Sequence, residues 1–196
     1  MYAQLVAAAL RILSFRAGPE DMPYAPALTP RLVVFALLAQ VMVLGQLMPL
    51  PLVLLIGGLG LGAMALATHA FLRARQLANR FHQAFGALLA TGGLLLLAMA
   101  PLFSFAVPML REVTSNPELL EQPEQLAALR PPMIVNLLLD VLFFWNLAVT
   151  VRIYRLAGDL RLAGGILMTL GVMMFMFLTV LFGTALFGGL LGLRPQ

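Results

Sequence analysis

The sequence predicts an all-α polytopic membrane protein: a bundle of five transmembrane helices preceded by an N-terminal amphipathic helix in the membrane interface. Two observations support this prediction. Only 10% of the residues are charged and 62% are hydrophobic, whereas a soluble domain carries about 25% charged residues. The charges also cluster in short connectors between long apolar runs, and about 20 apolar residues are enough to cross a bilayer core about 30 Å thick.

Residues 1–30 form a predicted cytoplasmic segment, an interfacial helix followed by a proline-rich linker. Between Tyr2 and Phe15 the apolar residues recur at helical spacing, but this stretch is too short to span a membrane. A signal peptide is the alternative, and it requires positive charge before its apolar stretch. Arg11 and Arg16 instead lie within the stretch and after it, which favours a retained helix.

Residues 31–196 form the predicted transmembrane domain. Its apolar runs place the five spans at about 32–48, 52–72, 85–110, 133–151 and 162–191. Pro101 and Pro108 are expected to kink the third span. An acidic connector at 111–132 follows it, in which Pro-Glu pairs predict short helices on the membrane surface.

The distribution of arginine predicts the orientation. If the N-terminus is cytoplasmic, only Arg111, Arg130 and Arg194 of the 12 basic residues fall in outer segments. The positive-inside rule therefore places the N-terminus in the cytoplasm, and both the C-terminus and the connector 111–132 in the periplasm. A composition rich in Ala, Leu and Gly, with arginine but no lysine, indicates a bacterial protein and hence the inner membrane.

Composition also excludes several kinds of chemistry. The chain has no cysteine and no lysine, which excludes thiolate nucleophiles, cysteine metal sites, Schiff bases and a P-loop lysine. His69 and His82 lack a flanking acidic motif, so we predict no metal and no cofactor. The arginines are spread among connectors and form no stripe, which indicates topology determinants and no nucleic-acid partner.

Asp140 is the only acidic residue well inside a predicted span, and Asn136 lies one turn away on the same face. A carboxylate facing lipid is costly, so Asp140 is expected to face protein or water, or to be protonated. One interpretation is structural, namely a buried hydrogen-bonded pair or a contact with a partner subunit. The other is a proton or cation relay, although its candidate second group, His69, lies at the opposite side of the membrane. Asn146 and Thr150 add polar atoms further along the helix.

Glycines at helical spacing predict close helix packing. Gly58 and Gly62 form a GxxxG pair in the second span, and Gly188 and Gly192 repeat the spacing in the fifth. The glycine run around the first pair lacks GxGxxG order, which argues against a nucleotide site. Packing within the chain and homodimerisation both remain open. Trp145, in the middle of a span, is expected to pack against another helix.

Several features are shared with a known family. A short N-terminal segment containing Ala17-Gly18-Pro19-Glu20-Asp21 precedes five spans, and the run Trp145-Asn146-Leu147-Ala148-Val149 closes on Arg152 and Arg155. In these features and in its threading the chain resembles the Yip family of Rab-interacting membrane proteins, particularly its small bacterial relatives. The resemblance implies an organising membrane protein without catalytic residues.

We therefore expect a non-catalytic integral membrane protein that organises or accompanies other membrane proteins, as an accessory or scaffold subunit. Its predicted partners are the lipid bilayer and either another membrane protein or a second copy of the chain. The alternative is a small transporter or proton-coupled permease that uses Asp140. An enzyme comes third, because the sequence offers no nucleophile–base pair and no set of metal ligands.

Overall fold

The computed structural model describes residues 2–121 and 123–190, which contain α-helices and no strand. The helices are α1 (Tyr2–Leu13), α2 (Thr29–Leu44), α3 (Leu50–Ala74), α4 (Phe81–Phe103), α5 (Val107–Ser115), α6 (Pro123–Leu129), α7 (Met133–Ala157) and α8 (Leu162–Leu190). Among the described residues, α2 with the turn before it, α3, α4, α7 and α8 are long and apolar enough to cross a membrane. The predicted all-α class with five spans is confirmed.

Proline and glycine set several helix ends. α2 stops at Leu44, before the predicted end at 48, since Gly45 and the following turn lead into Pro49. Pro49 has an extended backbone, with ψ of 145°, and directly precedes α3. A proline at the start of a helix is favourable, because the first amides of a helix have no partner within it.

The predicted third span, 85–110, is wrong as a single kinked helix. α4 accommodates Pro101 but ends two residues later, at Phe103. After a short turn, Pro108 lies in the first turn of the separate helix α5. Two prolines this close remove backbone donors from adjacent turns, and a new helix start tolerates the second one better than a continuous helix does.

Three helices end in the same left-handed turn. Phe15 after α1, Gln76 after α3 and Asp159 after α7 have φ angles of 58°, 60° and 51°. In each turn the next amide donates to the carbonyl five residues back, at 2.9, 2.7 and 2.8 Å respectively. This is the Schellman arrangement, in which glycine usually occupies the left-handed position because other residues are strained there.

The five spanning helices close into a ring. Around it, α2 contacts α4, α4 contacts α7, α7 contacts α8, α8 contacts α3, and α3 contacts α2. α4 is the most buried spanning helix. In its apolar stretch 56% of the residues are buried, whereas the other four spanning helices have 22% or less. Besides its two ring neighbours, α4 also contacts α1, α3 and the turn at Pro19–Asp21.

α1 is part of the main hydrophobic core. Ala9 and Ile12 are fully buried in the cluster that contains Phe85 of α4 and Val149 and Ile153 of α7. The amphipathic pattern of α1 thus has a protein partner on its apolar side. α1 is too short to cross a membrane, and its apolar side packs against the bundle.

Arginines gather at one end of the ring, which we call the basic end. It comprises the end of α3 with Arg73, the start of α4 with Arg80, and the end of α7 with Arg152. Arg80 joins two of these elements, since its guanidinium pairs with Asp159 at 3.0 Å and donates to the carbonyls of Leu156 and Ala157. Positive charge at the end of α7 also suits the helix dipole.

Candidate functional site

Asp140 lies on the outer surface of the ring. Its side chain and that of Asn136 are exposed, and neither forms an ion pair or hydrogen bond with any residue in 2–121 or 123–190. Leu137, Val141 and Phe144 beside them are exposed as well. The polar pair therefore sits within an otherwise apolar face that points away from the bundle.

This placement contradicts one interpretation of Asp140, that of a buried hydrogen-bonded pair inside the bundle, because the side chains of Asp140 and Asn136 are exposed. His69 lies on α3 near the basic end, where its ring packs edge-on against Phe81 at 5.2 Å between centroids. Asp140 and His69 are thus not brought together. Contact of Asp140 with a partner subunit is compatible with its exposed position.

The GxxxG pair in α3 does not pack inside the chain. Gly58 and Gly62 are exposed, and a methyl group added at either would meet no atom within 4 Å. Gly188 is buried near the end of α8, and Gly192 lies outside the described residues. Packing of Gly58 and Gly62 within the chain is therefore not observed, and their use in homodimerisation stays a prediction.

Other glycines make the close contacts. A methyl group at Gly93 of α4 would lie 2.5 Å from Cε1 of Phe35 on α2. One at Gly57 of α3 would lie 2.8 Å from Oε1 of Gln40. These two positions let neighbouring helices approach, as small residues do in membrane bundles. The sequence run around Gly57 holds glycines on more than one face, so spacing alone cannot identify the one that packs.

The ring surrounds a cavity of about 220 Å³ that is partly open to the surface. All five spanning helices line it, contributing for example Gln40 from α2, Met64 from α3, Gly92 from α4, Asn146 from α7 and Met173 from α8. The lining is mainly apolar, and none of the described residues that form it is charged. Asp140 is not among them.

Two of the hydroxyl groups at the cavity are already hydrogen-bonded within the chain. The Tyr154 hydroxyl lies 2.8 Å from the Thr68 hydroxyl, and both side chains are fully buried. The hydroxyl of Thr169 donates to the carbonyl of Gly165 at 2.9 Å. These groups are structural in character, since each has its partner.

Three further polar side chains at the cavity have no such partner. Asn146 and Thr150 lie one turn apart on α7, and Gln40 lies on α2. All three are half-buried, and none forms a hydrogen bond with another residue in the described part of the chain. The cavity thus offers amide and hydroxyl groups without a titratable relay.

The chain matches no family model, no curated protein and no solved structure. The resemblance to the Yip family therefore rests on the sequence features and stays a prediction. Among the described residues, no group of three or more His, Asp or Glu side chains is placed to hold a metal ion.

Helical arithmetic explains why α7 carries two separate polar sites. Asn136 and Asp140 are four residues apart and share a face, and so are Asn146 and Thr150. Asn146 comes six positions after Asp140, which rotates the helix by about 600° and puts these two side chains about 120° apart. The centres of the two pairs, ten positions apart, differ in direction by about 80°. The separation of the two polar pairs on α7 can therefore be predicted from the sequence. The pairing of Tyr154 with Thr68 cannot, because it depends on how α3 packs against α7.

Proposed function

We propose that the protein is a non-catalytic membrane protein that organises or accompanies other membrane proteins as an accessory or scaffold subunit. The observation that carries the proposal is the exposed position of Asp140 on a spanning helix, without a partner in the described chain. Asp140 lies 12 residues from Arg152, which is about 18 Å along the helix. An acidic side chain at such depth costs about 3 kcal/mol when it is left to lipid.

A partner helix would offset this cost. Its expected chemistry is a hydrogen-bond donor or a basic side chain at the depth of Asp140, on an apolar face that covers Leu137, Val141 and Phe144. Asn136 of a second copy is one such donor, and a basic residue of a different membrane protein is another. Either partner makes the outer face of α7 an interface.

The proposed location is the bacterial inner membrane, with the N-terminus cytoplasmic and the C-terminus periplasmic. The arginines at the basic end support this orientation through the positive-inside rule. The alternative function, a proton-coupled transporter that uses Asp140, has less support, because Asp140 does not line the cavity inside the ring.

The test is gentle purification in native nanodiscs of four forms: the parent chain, Asp140→Asn, Asp140→Leu and the control Thr179→Leu. Thr179 is a half-exposed polar residue of a spanning helix, and its hydroxyl already donates a hydrogen bond to the Phe175 carbonyl. We expect the parent to carry a stoichiometric membrane-protein partner or a second copy. Asp140→Leu should lose it at normal abundance, whereas Asp140→Asn and the control should keep it.

Two results would count against this function. Purification of the parent chain as a monomer, with no copurifying membrane protein, would show that it has no stable partner. Asp140→Asn with normal abundance and unchanged assembly, but without the activity lost in a deletion strain, would instead identify a titrating relay and favour the transporter.

A further inference from the structure

The cavity inside the ring is the feature that the proposed function leaves unused. It lies within the bundle, away from the outer face of α7, and is bounded by all five spanning helices. An interface role for Asp140 neither needs nor explains it. The properties of the cavity are therefore independent of that role.

The lining of the cavity has polar side chains but no charged ones among the described residues, which favours an uncharged ligand. Burying an unpaired charge is very unfavourable. Asn146 and Thr150, one turn apart on the same wall, instead present an amide and a hydroxyl without a partner. Leaving such groups unpaired in an apolar site costs about 1–3 kcal/mol each, which a hydroxyl, carbonyl or amide of a ligand would recover.

The volume sets the size of the ligand. An engineered apolar cavity of about 150 Å³ holds one benzene molecule. In proportion, the cavity of about 220 Å³ has room for about nine non-hydrogen atoms. Most of its lining is apolar, including Met64, Met173 and Met176, and flexible methionine side chains adapt to ligands of different shape.

The way into the cavity runs from the bilayer. Phe143 of α7 and Met173 of α8 are the two described cavity-lining residues that are exposed, at 47% and 41%. The cavity therefore reaches the surface between these two helices, in the part of the molecule that faces lipid. A molecule dissolved in the membrane can enter there without crossing a polar surface.

We propose that the ring cavity binds an uncharged, membrane-soluble molecule. Asn146 and Thr150 hold its polar group, and an apolar body of about eight atoms fills the space between α4 and α8. The same chemistry is presented by a free small alcohol or amide and by the head of a lipid whose tail leaves between α7 and α8.

The test is photolabelling of the full chain in phosphatidylcholine nanodiscs with 3-azioctanol, a neutral alcohol of about this size, followed by mapping of the adducts by mass spectrometry. We expect saturable labelling concentrated on the cavity lining, such as Met173 and Met176. Excess octanol should abolish it. Competition by oleyl alcohol as well would assign the site to lipid, whereas competition by octanol alone would assign it to small free molecules.

Two variants test the cavity directly. A methyl group at Gly92 would meet no atom within 4 Å, so Gly92→Leu should grow into the cavity and reduce labelling to background. Gly171→Leu is the control, because Gly171 is equally open but lies exposed on the outside of α8. Thr150→Val removes one hydroxyl at nearly constant volume and should weaken labelling about fivefold, as expected for one hydrogen bond.

The proposal is overturned by labelling that does not saturate, or by labelling that Gly92→Leu and Thr150→Val both leave unchanged. A hydroxyl-free diazirine alkane that labels the cavity as well as the alcohol does would also overturn it, because the polar wall would then play no part. Thr150→Val keeps the test valid if Gly92→Leu fails to fold.

Discussion

The indole Nε1 of Trp145 donates a 2.9 Å hydrogen bond to the backbone carbonyl of Leu13. This bond joins the middle of α7 to the last residue of α1, and the rings of Trp145 and Phe15 lie 6.1 Å apart beside it. Leu13 is at a helix end, where carbonyls lack partners within the helix. The prediction that Trp145 packs against another helix is confirmed, and that helix is α1.

Trp145→Phe should loosen α1 without unfolding the ring. The substitution keeps an aromatic ring but removes the donor, at a loss of about 1 kcal/mol. Hydrogen–deuterium exchange should become faster in the amides of residues 10–16 and stay unchanged in α4. Phe182→Leu, a change at an exposed aromatic of α8, is the control. Equal exchange in the variant and the parent would show that the bond does not hold α1.

Thr68 and Tyr154 should be energetically coupled. Each hydroxyl is the other's buried partner, so Tyr154→Phe or Thr68→Val leaves one polar group unsatisfied and lowers stability. The double variant should be less destabilised than the sum of the two single variants, by about 0.6 kcal/mol, which is typical of hydrogen bonds between membrane helices. Unfolding in SDS titrations of all four forms measures this coupling, and additive losses would refute it.

Adjacent glycines of α4 should respond to alanine in opposite ways. Gly93→Ala brings a methyl group to 2.5 Å from the Phe35 ring, and such overpacking costs about 1–3 kcal/mol. Gly92→Ala meets open space and should be neutral or stabilising by up to about 1 kcal/mol, since alanine favours helices. Thermal unfolding in detergent should separate the pair, and the same shift in both would contradict the close contact of α2 with α4.

Gln76→Gly should raise the stability of the protein. Gln76 holds a φ of 60° after α3, and glycine adopts this conformation without the steric strain of a side chain. We expect a gain of about 0.5–1 kcal/mol in the free energy of unfolding. Gln83→Gly, placed inside α4, is the control and should be destabilising, and a loss of stability at both positions would contradict the left-handed turn.

Cysteine labelling tests the orientation, because the parent chain has no cysteine. Asn79 lies between α3 and α4, Ser115 lies at the end of α5, and both are exposed. With the N-terminus cytoplasmic, a membrane-impermeant maleimide added to spheroplasts should label Ser115→Cys and spare Asn79→Cys until the membrane is lysed. The reverse pattern would invert the proposed orientation.

The spans could be predicted because their signal is local. Each apolar run carries its own hydropathy, and the charges and prolines that end it are close in sequence. The inward and outward faces of α7 could not be predicted in the same way. Both faces are rich in Leu, Val and Phe, because the lipid and the interior of the bundle are equally apolar. Helical periodicity therefore shows that Asp140 and Asn146 point in different directions, but it does not show which of them points outward.

The contacts that shape the cavity are long-range, and for that reason the sequence did not reveal them. Gln40 lies against Gly57 because α2 and α3 pack at that level. Tyr154 meets Thr68 across 86 residues. The acid that stood out in the sequence, Asp140, is conspicuous because it is charged, whereas the neutral polar groups at the cavity resemble ordinary residues of a spanning helix.

The docking of α1 onto α7 also sets an order of events during synthesis. Trp145 follows Leu13 by 132 residues, and at about 5–20 residues per second α1 leaves the ribosome roughly 7–26 seconds before Trp145 is made. The apolar face of α1, with Ala9 and Ile12, can pack on α4 earlier, but its contacts with Val149 and Ile153 and its bond to Trp145 form only when α7 is complete. A newly made chain would therefore hold α1 on α4 first and seat it fully only after α7 is in place, which makes the Trp145 contact a late marker of completed assembly.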